Sequence, residues 1–113
     1  MNRSLSALFL VSSILLGVAC TSDERPTGAE VVDRSAPVLC EKQKECQATL
    51  FEVAYPGGVS ECTTRTSNTV KAQRKDLSAE SVCTDDELTK CLNDLKAAAC
   101  KKDGSIPDIP CRC

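Results

Sequence analysis

Nine cysteines and no histidine set the chemistry that this chain can carry. Cysteine has three common uses: metal ligation, thiol exchange and structural disulfides. Zinc sites favour C-x2-C pairs or cysteine mixed with histidine. Here the local spacings are C-x5-C (Cys40, Cys46), C-x7-C (Cys83, Cys91), C-x8-C (Cys91, Cys100) and C-x-C (Cys111, Cys113). No metal and no cofactor is expected from them. A thiol oxidoreductase needs an exposed cysteine of low pKa, usually in C-x-x-C, and the chain has no such motif. Only Cys111-Arg112-Cys113 hints at exchange, because Arg112 favours a neighbouring thiolate. Without histidine, the common Ser/His and Cys/His nucleophile pairs are excluded. Asp85, Asp86 and Glu87 form a carboxylate cluster that a helix start explains. Gly57-Gly58 is a turn, since no Lys-Ser/Thr follows to complete a phosphate loop. The expectation is a non-enzyme.

The first cysteine belongs to a different part of the chain from the other eight. Residues 1–19 have one basic residue (Arg3), an apolar run from Leu5 to Leu16, and small residues before Cys20. A membrane span needs about 20 predominantly apolar residues; this run fits the shorter apolar core of an export signal. The ending Gly17-Val18-Ala19-Cys20 resembles a bacterial lipobox, in which the cysteine receives a diacylglyceryl group and becomes the new N-terminus. The usual leucine three residues before the cysteine is replaced by Gly17, with Leu16 one place earlier. Parity agrees with lipidation: once Cys20 is acylated, the remaining eight cysteines can all pair. Each buried methylene adds about 0.8 kcal/mol, so several palmitate-type chains hold a protein stably at a membrane. Thr21-Ser22 after the cysteine lacks the aspartate that often retains such proteins at the inner membrane. An exported, lipid-anchored protein of the cell envelope is expected, at the outer membrane rather than the inner.

Removing residues 1–19 takes away Arg3 and leaves 13 basic and 16 acidic residues, a net charge of −3. No basic cluster exceeds Arg74-Lys75 or Lys101-Lys102, so nucleic acid is not an expected partner. Thr21 to Ser35 has little to bury and reads, with Cys20, as a flexible tether over residues 20–35. The folded domain then covers 36–113. It contains only two aromatics, Phe51 and Tyr55. Domains this small rarely gain more than about 3–5 kcal/mol net from one core. Disulfides at about 2–4 kcal/mol each supply the rest. Cys40, Cys46, Cys62, Cys83, Cys91, Cys100, Cys111 and Cys113 are therefore the framework. Eight cysteines allow about a hundred connectivities, and the sequence does not choose among them.

Three helices should carry these cysteines. The first opens at Ser35-Ala36-Pro37 and puts Leu39, Cys46, Leu50, Val53 and Ala54 on one stripe, ending at Tyr55-Pro56-Gly57-Gly58. Cys40 lies on its flank with Phe51, so Cys40 and Cys46 should have different partners. The second covers Ser60–Lys75, with Cys62, Thr66, Thr69, Val70, Gln73 and Leu77 on one face; its threonines weaken it. The third starts at the capping box Thr84-Asp85-Asp86-Glu87 and runs a stripe of Leu88, Cys91, Leu92, Leu95, Ala98 and Ala99. Cys100 projects about 180° from Cys91, which suits it to catch the tail. Pro107 and Pro110 keep that tail extended. Residues two apart on an extended chain point to opposite sides, so Cys111 and Cys113 should have separate partners. The expected fold class is all-α: a small disulfide-stapled bundle of about three helices with a pinned, extended C-terminal tail.

The ordering of these elements is similar to that of small cysteine-rich lipoproteins of delta-proteobacterial (myxobacterial-type) genomes. The resemblance rests on Leu39-Cys40-x5-Cys46, Glu61-Cys62, Cys83 and Lys90-Cys91-Leu92-x2-Leu95-Lys96-Ala97-x2-Cys100. It extends through the tail of Pro107, Pro110, Cys111 and Cys113. It implies a lipid-anchored envelope protein without catalytic residues. The expected role is a non-enzymatic structural or binding module working through its helix faces toward an envelope partner. Two other readings stay open. One is a secreted disulfide-rich inhibitor or effector presenting the loop Ala54–Val59. The other is a thiol-exchange protein using Cys111 and Cys113.

Overall fold

The computed structural model describes residues 24–113. The export segment 1–19 and the lipidation site Cys20 lie outside the described residues. The described chain is all-helical and has four helices: α1 Gly28–Cys46, α2 Ala48–Ala54, α3 Gly58–Gln73 and α4 Asp85–Ala97.

The first helix starts seven residues before the expected opening. Thr27 and Glu30 form a capping box: the Thr27 side chain accepts from the Glu30 backbone N–H, and the Glu30 carboxylate accepts from the Thr27 backbone N–H at 2.7 Å. Pro37 therefore sits inside α1 rather than in its first turn. Ahead of the cap, Glu24 to Thr27 is not a free tether. The Glu24 carbonyl accepts from Asp85 N–H (2.8 Å), the Pro26 carbonyl from Ser81 N–H (2.8 Å), and Thr27 bridges Glu80. The tether expected over 20–35 is thus folded from Glu24 onward, because the linker 77–85 offers its backbone as a partner.

The expected continuous helix to Ala54 breaks at Gln47, whose φ and ψ of −134° and 49° are not helical. The break resets the helical phase. Phe51, not Leu50, turns inward on α2; Leu50 and Val53 are 68% and 78% exposed. The correct count is four helices because one apolar stripe does not survive the break.

Two small cores share α1. Val38 packs with Leu88, Leu92 and Leu95 of α4, joined by Val31, Leu39, Cys111 and Cys113. Cys40, Phe51 and Cys62 form the second, against Tyr55 and Val59. The α1–α3 contact is antiparallel: Cys40 meets Cys62, Asp33 meets Ser67 and Lys71, and Leu77 lies against Gly28. α4 follows the reading of its capping box, with Glu87 N–H donating to the Thr84 side chain and Thr84 N–H to Glu87 (2.8 Å). It ends at Ala97; Ala98 is extended. The chain then turns at Gly104, whose φ of +80° suits glycine. Lys101 N–H donates to the Ser105 carbonyl, and Lys101 pairs with Asp108.

Candidate functional site

The cysteine framework joins three of the four helices, α1, α3 and α4, to one another and to the tail. Four bridges join Cys40–Cys62, Cys46–Cys100, Cys83–Cys113 and Cys91–Cys111, with Cα separations from 5.2 to 5.9 Å. Those separations lie in the normal range for disulfides. Cys40 and Cys46 have different partners, as their faces require, and so do Cys111 and Cys113. Cys100 does not catch the tail. α4 ends three residues before it, so projecting helical angles to position 100 fails, and the extended segment carries Cys100 to the C-terminal end of α1. The tail is held instead by Cys91, within the α4 stripe, and by Cys83 ahead of the Thr84 cap. Cys111 and Cys113 are not bonded to each other, so Cys111-Arg112-Cys113 is a pair of structural half-cystines to different positions.

Beside the Cys46–Cys100 bridge lies a buried lysine of α1. Lys42 is only 3% exposed. Its ammonium donates to the Lys96 carbonyl (2.9 Å), the Ala98 carbonyl (2.7 Å) and the Glu45 carboxylate (2.8 Å). The last carbonyls of a helix have no partner within it. Lys42 thus caps the C-terminal end of α4 from another helix, with the charge sign that end favours.

Two of the three carboxylates in the cluster, Asp85 and Glu87, also have structural partners. Asp85 pairs with Arg34, whose guanidinium also donates to Thr89 Oγ1 (2.7 Å), and Glu87 completes its cap. A cleft of about 950 Å³ opens beside them, lined by Arg25, Glu30, Asp33, Arg34 and Glu80 among others. Arg25 donates to the Val82 carbonyl, Glu30 accepts from Thr27, and Asp33 accepts from Ser67 and Lys71. The candidate recognition loop Ala54–Val59 is tied down too. Arg65 donates to the Ala54 carbonyl and stacks 5.3 Å from the Tyr55 ring centre, while Gly57 N–H donates to Glu61. Among the described residues, no group of three or more His, Cys, Asp or Glu is arranged to hold a metal ion.

Asp33 gives a direct pH test. Its bonds from Lys71 (2.6 Å) and Ser67 (2.9 Å) hold the carboxyl below its ordinary value. A group depressed on folding contributes stability above its unfolded value, here 3.8, and loses it as pH falls through the folded value. Asp33→Asn is expected to lower the urea midpoint at about pH 5, with the gap from the wild type shrinking toward about pH 2.5. An equal gap at both pH values would show that the carboxylate is not linked to folding.

No family model, no curated protein and no solved structure matches the chain. The class that the fold defines is a small all-α domain held by four disulfides. Such a build suits an oxidising compartment and is consistent with an exported protein. No helix among the described residues is long and apolar enough to cross a membrane.

Proposed function

We propose that the protein is a lipid-anchored lipoprotein of the bacterial cell envelope, a non-enzymatic structural or binding module held at the outer membrane through Cys20. One observation carries this reading. The eight cysteines after Cys20 form four pairs among themselves. That leaves Cys20 as the ninth cysteine, at the end of an apolar run and small residues. The resemblance to small cysteine-rich lipoproteins of delta-proteobacterial type supports the same reading, as does the absence of histidine. Partnering falls to the helix faces and the envelope molecules that meet them.

The intact mass of the membrane-extracted protein, before and after alkylation without reductant, tests this. The expected mass begins at Cys20, carries acyl groups and takes up no alkylating agent. An unlipidated mass in the culture medium would favour a secreted inhibitor or effector. Two alkylated thiols in the native protein would favour thiol exchange at the C-terminus.

A further inference from the structure

A second opening runs along α1 and differs in character from the charged cleft. It has a volume of about 210 Å³. Its floor is one face of α1, including Val31, Val32, Ala36 and Leu39; Val70 of α3 forms one wall and Ile109 of the tail the other. From Gly28 to Leu39 the floor is about 16 Å long at the rise of an α-helix. Clefts that enclose drug-sized ligands hold roughly 300–1,000 Å³. A helix is roughly 10–12 Å across. This groove is therefore long and thin, the shape of one unbranched hydrocarbon chain rather than of a ring system or a docked helix.

The groove has a charged end. Arg74 is its only charged lining residue. The other described arginines along the helices are engaged: Arg34 with Asp85, and Arg65 with Ala54 and Glu61. The Arg74 guanidinium has no hydrogen bond or ion pair among the described residues. A free guanidinium presents a planar fork that matches a carboxylate with two parallel bonds. Because α3 runs antiparallel to α1 and Leu77 meets Gly28, Arg74 stands at the N-terminal end of α1. Charge lies at one end, and apart from Ser35 and Thr66 the rest of the lining is apolar.

We infer that this groove binds a long-chain fatty acid, with its carboxylate at Arg74 and its chain along α1 between Val70 and Ile109. The inference rests on the reading of the protein as a binding module and does not require lipid on Cys20. Burial of the chain supplies affinity in proportion to the apolar area removed from water, and the ion pair sets direction.

The test is a titration of the full chain carrying Cys20→Ser with dansyl-labelled undecanoate, in a protein that has no tryptophan to interfere. Saturable one-to-one fluorescence enhancement is expected, displaced by palmitate and about tenfold less effectively by the neutral hexadecanol. Arg74 is exposed, so Arg74→Gln leaves the fold intact and should weaken binding about tenfold. Arg65→Gln should leave binding unchanged. Absence of saturable binding, equal affinity in Arg74→Gln, or equal displacement by the alcohol would overturn the inference. So would a concentration-dependent dimer that excludes the probe, since a second copy would then cover the groove. The anchor reading fails separately, on the intact mass of the wild type, and a positive titration stands whatever that mass shows.

Discussion

Full reduction of the four disulfides should abolish the helical circular dichroism of the domain. Loop closure gives the scale. In the chain-entropy picture, the Cys46–Cys100 bridge, spanning 54 positions, is worth about 4 kcal/mol, and Cys40–Cys62, spanning 22, about 3.4 kcal/mol. A small domain has about 5–15 kcal/mol of total stability, so loss of two such bridges consumes most of it. The two cores cannot replace them, for one consists of four buried residues and the other of three, two of which are the half-cystines themselves. Retained helical signal with all thiols free, read by alkylation and mass, would refute this account. The double variant Cys46→Ser/Cys100→Ser, which leaves the other three bridges in place, should lower the thermal midpoint by roughly 15–30 °C.

Lys42→Met should destabilise the domain far more than replacement of a surface lysine does. Methionine fills similar space but donates nothing. The carbonyls of Lys96 and Ala98 would lose the ammonium that both now share. Each buried polar group left without a partner costs about 1–3 kcal/mol. The expected loss is about 2–4 kcal/mol, or roughly 10–30 °C in thermal midpoint. Lys44→Met, two positions along α1 on an exposed site, should change stability by less than about 0.5 kcal/mol. If the two variants melt together, Lys42 does not cap α4.

The sequence revealed most where a local rule acts within one element. The box Thr84–Glu87 and the stripe of Leu88, Cys91, Leu92 and Leu95 place α4 without help from the rest of the chain. The same T-x-x-E signal stands at Thr27–Glu30, yet Pro37 drew the helix start to Ser35 because proline is so common in a first turn. Angular counting failed wherever the helix was interrupted, at Gln47 and again past Ala97, and it misplaced Leu50, Val53 and Cys100 for one reason. Lys42 and Ser67 were not legible at all. Their burial depends on what lies opposite: two carbonyls of α4 for the one, Asp33 for the other. The disulfide pairing was open for the same reason, since it is decided by how helices meet and not by spacing along any of them. The groove with Arg74 combines four separate segments, and no single stretch of sequence displays it.

The order of the bridges along the chain has a bearing on cleavage. Cys40–Cys62 interlocks with Cys46–Cys100, which in turn interlocks with Cys83–Cys113, and Cys91–Cys111 nests inside the last. Every peptide bond between Cys40 and Cys113 is thereby spanned by at least one sulfur–sulfur link. A protease that nicks any of them leaves a single covalent molecule, and the cut shows only after reduction. Between Cys62 and Cys83 that continuity depends on the Cys46–Cys100 link alone. Among the described residues upstream of Cys40 no such link exists. There a single cut separates the domain from Cys20, and so from the lipid proposed there.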